Sequence, residues 1–169
     1  MILPFLDQKT LFSQYRFDEP WNGPHNSKLA DTIPAVYRCP SFVKYHQRHN
    51  LETEQTKHLT NYVVVTAGNA IFNGDRPTAI RDIKDGTSNT LILAETRHHL
   101  VHWMEPDDVS ENELIYDLQS AANADQANHM GGLHFALADG SIRFISSAIG
   151  VTVFHGLVTR NGGERIDDF

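Results

Sequence analysis

Between Phe135 and Ser146 the chain reads FALADGSIRFIS, two alternating apolar runs meeting at Asp139-Gly140. Aspartate followed by glycine between such runs is a strong short-range signal for a β-hairpin, because both residues accept turn backbone that other residues resist. A two-residue type I′ turn at these positions predicts that Leu137 faces Ile142 and Phe135 faces Phe144. Those four side chains would then share one buried face, with His134, Ala136 and Arg143 on the other. Sliding the strands by one residue would undo that sorting, since successive side chains point to opposite faces. A chain that commits to this hairpin commits to an antiparallel sheet.

The rest of the pattern extends that sheet. NYVVVTAGN is β-branched and apolar, and TLILAE is an uninterrupted apolar run suited to a central strand covered on both faces. AVYRCPS reads as a short strand closed by Pro40. Residues 41–60 are polar and read as a surface excursion. At the N-terminus, Pro4 suits the first position of a helix, and Phe5, Leu11, Phe12 and Tyr15 share an arc at helical spacing, with Leu6 outside it. A short helix is expected over Asn26–Thr32, stopped by Pro34. Val151, Phe154 and Val158 share a face of a last helix, ended at Asn161-Gly162. The fold class expected is α+β, a mainly antiparallel sheet with helices towards the two ends, in one globular domain over residues 1–169.

Charge and composition narrow the function. Lys+Arg 14 against Asp+Glu 21 gives a net charge of −7, which disfavours nucleic acid as a partner because phosphate backbones need clustered positive charge. No apolar run reaches the roughly 18 residues that span a bilayer, and no signal-peptide pattern is visible. Cys39 is the one cysteine, so no intramolecular disulfide can form, and before Pro40 it reads as a small buried hydrophobe rather than a nucleophile.

Several residues carry possible chemistry. His129 and Asp139 flank a strand that would hold them roughly 20 Å apart, too far for ligands of one ion. Aspartate has a sufficient role in the turn, and His129 in anchoring the strand's entry. His98 and His102 have the i, i+4 spacing of a helical chelate, but they follow a strand, and no third ligand accompanies them. Glu95 ends the apolar run; a buried acid is one reading, and a strand-end charge neutralised by Arg97 or Arg143 is the favoured one. The acidic stretch 105–113, with Glu105, Asp107, Asp108, Glu111 and Glu113, offers oxygen ligands to calcium but lacks EF-hand spacing, so a solvated loop is the plainer reading. No cofactor is expected, and no catalytic residue is assigned.

In their order along the chain, ILPFLDQKTLFSQYRFDEPWNGPHN, VYRCPS, NYVVVTAG, IKDGTSNTLILAE, H…ADGSIRFIS and TRNGGE resemble a bacterial family of uncharacterised prepilin-like proteins with the prepilin-type processing-associated H-x9-DG domain. His129, Asp139 and Gly140 fall on the named motif, and Asp85, Gly86, Asn89 and Glu95 on a second block. The resemblance implies a type IV pilin or pseudopilin-like head, exported or cell-envelope associated and non-enzymatic, serving a filament or secretion system. Leader and hydrophobic helix are not in the sequence, and filament or homo-oligomer partners would belong to a full-length form. The family is also labelled solute-binding-protein-like. The rival readings are a small-solute or glycan module, with Trp21, Trp103 and Tyr45 as stacking candidates, and a metal-dependent enzyme using some of the ten histidines.

Overall fold

The computed structural model describes residues 1–74, 76–122, 129–164, 166 and 169. In chain order its helices and strands are α1 (Lys9–Gln14), α2 (Pro40–Arg48), β1 (Leu59–Thr60), β2 (Tyr62–Thr66), β3 (Leu91–Glu95), β4 (Val101–His102), β5 (Val109–Ser110), α3 (Glu111–Ser120), β6 (Gly132–Leu137), β7 (Ile142–Ser146) and α4 (Val151–Val158). Short 3-10 turns lie between them. The fold is α+β, as the pattern predicts, and the chain divides into two compact units.

The first unit comprises Met1–Asn61 and Leu100–Pro106. The N-terminal helix expected from the sequence is broken in two. Leu3–Leu6 forms a 3-10 turn, Asp7 takes a left-handed conformation (φ 57°), and α1 follows. That break rotates the apolar face, so Leu3 and Leu11 are buried while Phe5 is 87% exposed. They pack with Leu29, Trp103 and Met104, and the Trp103 indole N–H donates to the Ala30 carbonyl at 3.0 Å. Asn26–Thr32 is helical over the expected range, as a 3-10 segment. AVYRCPS is not a strand: Ala35–Tyr37 is a 3-10 turn and Pro40 opens α2. Proline without an N–H suits a first helical turn as well as it ends a strand, and here the helix wins. The excursion expected over 41–60 therefore contains α2. Cys39 occupies the N-cap position, buried, with its main-chain N–H donating to Asn61 Oδ1 at 3.0 Å.

His102, on β4, stacks on Trp21 with ring centroids 4.6 Å apart. Burial, reinforced by the neighbouring His58, holds its pKa below the ordinary 6.5. A histidine whose folded pKa is depressed contributes stability above its unfolded pKa and loses it as pH falls through the folded value. Acidification below about 6.5 should therefore destabilise this unit. Thermal melts across that window should show a shallower acid limb for His102→Phe, which keeps the stack and cannot charge.

The second unit, Tyr62–His99 and Asp107–Phe169, holds a five-stranded sheet in the order β5-β2-β3-β6-β7. β5 pairs with β2 in parallel and the other pairs are antiparallel. TLILAE supplies β3 at the centre. Leu133, Phe135 and Leu137 of β6 are buried, as are Leu114 and Leu118 of α3 and Phe154 and Leu157 of α4. Phe135 meets Phe154 edge-on at 5.7 Å.

The hairpin lies at Asp139-Gly140, but its register differs from the one expected. His134 pairs with Phe144, Phe135 with Arg143 and Ala136 with Ile142. The Leu137 N–H donates to Ser141 O at 2.9 Å, enclosing a three-residue loop, Ala138–Gly140. A type I′ turn needs positive φ at both central residues. Gly140 has it (φ 86°) and Asp139 does not, which matches the three-residue loop that closes on a left-handed glycine. The one-residue shift turns Ile142 and Phe144 away from Phe135 and Leu137, leaving them 63% and 47% exposed, and Ile145 takes the core position instead at 1%. The expected burial of four large apolar side chains on one face is thus corrected to Phe135, Leu137, Leu133 and Ile145.

Close approach of β6 and β7 also fixes Gly132. A Cβ there would meet the Ile145 carbonyl oxygen and the Phe144 ring. Gly132→Ala is expected to cost about 1–3 kcal/mol, because a backbone oxygen cannot move aside as a side chain can. Chemical denaturation of the variant would measure it.

Candidate functional site

Two groups of polar side chains stand out in the second unit, both built on the ends of strands. The first centres on Glu95, the last residue of β3. Because Ala94 pairs with Phe135, the neighbouring His134 comes alongside the Glu95 carboxylate. Its main-chain N–H and its ring Nδ1 each lie 3.1 Å from Oε2. His129, just ahead of β6, brings Nε2 to 3.1 Å from Oε1. The two imidazoles meet edge-on, ring centroids 4.6 Å apart. Glu95 is only 1% exposed. Beside the expected neutralisation by Arg97 or Arg143, the structure sets two histidines against the carboxylate; the Arg97 guanidinium donates to the Ser120 hydroxyl at 3.3 Å, and Arg143 is exposed on β7, a strand further out.

His129 and Asp139 stand at opposite ends of β6 and serve different neighbours. The Asp139 carboxylate accepts from the Ser141 N–H at 2.8 Å, and the Ser141 hydrogen bonds hold its pKa below the ordinary carboxylate value. The Asp139 N–H donates to Thr87 O at 3.0 Å, and the Ala138 N–H to Thr90 O at 2.9 Å. Thus the hairpin tip is gripped by the DGTSNT segment. In that segment Gly86 takes φ 95°, the Asn89 amide donates to Asp85 O at 3.2 Å, and Thr90 Oγ1 donates to Gly86 O at 3.0 Å. The Asp85 carboxylate in turn accepts the Gly162 and Gly163 N–H groups at 2.8 and 2.9 Å. Asp85, Gly86, Asn89, Asp139 and Gly140 therefore build one interlocked corner. Glu95 and His129 belong to the other assembly.

The second polar group surrounds a cleft of about 360 Å³ lined by His98, His99, Asn112, Glu113, Tyr116 and Asp117. Asp117 is buried, and its carboxylate accepts the main-chain N–H groups of Arg97 (2.9 Å) and His98 (3.1 Å). His99 lies 3.6 Å from Asp107 and 3.8 Å from Glu113. His98 is in a bend and His102 in β4, so their i, i+4 spacing is not helical. The stretch 105–113, expected as an acidic loop, ends in β5 and the first turn of α3. Ser110 caps α3, and Glu113 returns to its N–H at 2.8 Å and its hydroxyl at 2.6 Å, which lowers the Glu113 pKa. Glu111 pairs with His155 at 2.8 Å. Burial and the charge of Asp107 push Asp108 above its ordinary value. Glu113 thus serves the helix start, and Glu111 ties that first turn to His155 on α4. The signal for α3 was present as Ser110-x-x-Glu113, a capping box preceding Leu114 and Leu118.

Of the three stacking candidates, Trp103 is in the core of the first unit, Trp21 stacks on His102, and Tyr45 lies on α2 against His49.

The chain is thus an α+β protein whose sheet carries an interlocked loop corner and a buried carboxylate between two imidazoles. It belongs to the family described as "Protein of unknown function (DUF1559)", whose model matches residues 1–124. The match takes in Asp85, Gly86, Asn89 and Glu95 and stops ahead of His129 and the hairpin. No curated protein and no solved structure matches the chain. Among the described residues, no helix is long and apolar enough to cross a membrane.

Proposed function

We propose that this chain is the non-enzymatic globular head of a pilin- or pseudopilin-like exported protein, a subunit of a filament or a secretion-associated assembly. One observation carries the reading: the Asp85 carboxylate is spent on the Gly162 and Gly163 N–H groups, in the corner where DGTSNT also grips the hairpin tip. The segments that resemble the prepilin-like family are used to brace a sheet, which supports a structural rather than a catalytic role for them. β7, the edge of that sheet, presents Ile142 and Phe144 to solvent, a surface suited to a neighbouring subunit. The test is to express the natural gene with whatever it encodes upstream of residue 1, fractionate the cells and sequence the mature N-terminus. A processed protein in the envelope fraction, anchored by about 20 apolar residues, is expected. An unprocessed protein in the cytosol would refute the reading.

The cleft beside His98 and Tyr116 favours a second reading, a small-solute binding module. Its check is thermal shift against a panel of small polar solutes and glycans, where stabilisation by one of them, lost in Tyr116→Ala, would support it.

A further inference from the structure

We propose that Glu95 and His129 hold a divalent transition-metal ion of the zinc class, with His134 positioning the carboxylate. The inference stands on geometry independent of the pilin-like reading. Glu95 is fully buried, yet its two oxygens are treated unequally. Oε2 receives both the N–H and the ring of His134. Oε1 makes no hydrogen bond, although the Nε2 of His129 is only 3.1 Å away. A buried carboxylate oxygen left unbonded is costly, and an aligned imidazole N–H at that distance would normally relieve it. The two atoms are close, yet Oε1 accepts no hydrogen bond.

That is the relation between two ligands of one ion. Donors each about 2.1 Å from a zinc-class ion, at a near-tetrahedral angle, stand roughly 3.4 Å apart. The observed separation is near that value, and closure needs only a small outward adjustment. Imidazole with carboxylate selects zinc, nickel, copper or iron over calcium and magnesium, which prefer all-oxygen cages. The remaining coordination positions are left to water or other donors. His134 then fills the role that partners of ligating groups commonly play, fixing Oε2 so that Oε1 keeps its aim. This site is unrelated to a His129–Asp139 pair and to the acidic stretch 105–113.

The experiment titrates metal-stripped, tag-free chain with Zn2+ at neutral pH by calorimetry. Binding of one ion per chain is expected, weakened about tenfold or more in Glu95→Gln and His129→Ala, with fold retention checked by circular dichroism. His134→Ala should weaken binding by about 10–100-fold, and His134→Asn, whose amide can donate to Oε2, should recover part of the loss. A second measurement needs no variant: carbethoxylation of the wild-type chain read by mass spectrometry, in which Zn2+ should protect His129 but not His25. Absence of zinc binding by the wild type, equal binding by His129→Ala, or equal modification of His129 with and without zinc would each overturn the proposal.

Discussion

Phe154→Ala is expected to destabilise the chain by about 3–5 kcal/mol, the range for truncating a buried phenylalanine. Phe154 is fully buried on α4 and packs edge-on against Phe135 of β6, so it is the aromatic link between the last helix and the sheet. Alanine would remove that ring contact and leave a cavity lined by side chains that strands and helix hold in place. Phe154→Leu retains much of the volume and should cost distinctly less, within the range for volume-conserving swaps. Val151, placed by spacing on the same helical face, is 52% exposed, so Val151→Ala should fall within about 0.5 kcal/mol of the parent. Urea denaturation of the three variants gives the ranking directly. Equal losses at Phe154 and Val151 would mean that α4 does not pack as described.

The contrast between Phe154 and Val151 illustrates what a local pattern can and cannot say. Spacing placed both on one face, and the helix is there. How far that face is covered depends on what packs across it, which spacing does not encode. The same limit explains the hairpin. The position of the turn was legible at Asp139-Gly140, but its type depended on whether Asp139 would take positive φ. Its failure to do so moved every pairing by one residue and traded Ile142 and Phe144 for Ile145 in the core. Strands β2 and β3, the 3-10 segment at Asn26–Thr32 and α4 were legible because their signals are contained in a few adjacent residues. At Pro40 the local signal pointed both ways, and a helix start prevailed over a strand end.

The site was less legible than the fold. Glu95 and His134 are 39 residues apart, and only the β3–β6 pairing brings them together. Nothing near Glu95 in the sequence distinguishes an imidazole partner from Arg97, two residues on. In sequence His129 is spaced against Asp139, whereas its neighbour in the fold is Glu95. The block around Asp85 was legible as a turn, but its carboxylate closes on Gly162 and Gly163, 77 and 78 residues later.

Asp117 is another long-range anchor, and Asp117→Ala should cost about 2–4 kcal/mol, because one buried and one part-buried main-chain donor would lose their acceptor. The carboxylate sits on α3 and receives the N–H groups of Arg97 and His98, just after β3 ends. At that point the chain leaves the sheet, past the last paired residue of β3. A carboxylate from a packed helix replaces the missing ladder. Asn keeps one acceptor oxygen with similar shape, so Asp117→Asn should lose roughly half as much, whereas Asp117→Leu, branched alike but larger and without an acceptor, should be at least as damaging as alanine. That ordering separates hydrogen bonding from packing: if leucine restored stability, filling space would be the role of the side chain. Hydrogen exchange offers a residue-level check, since the amides of Arg97 and His98 should lose protection in Asp117→Ala before the amides of β3 do. Loosening there would also reshape the cleft beside His98, so solute binding, where it is found, should weaken in the same variant.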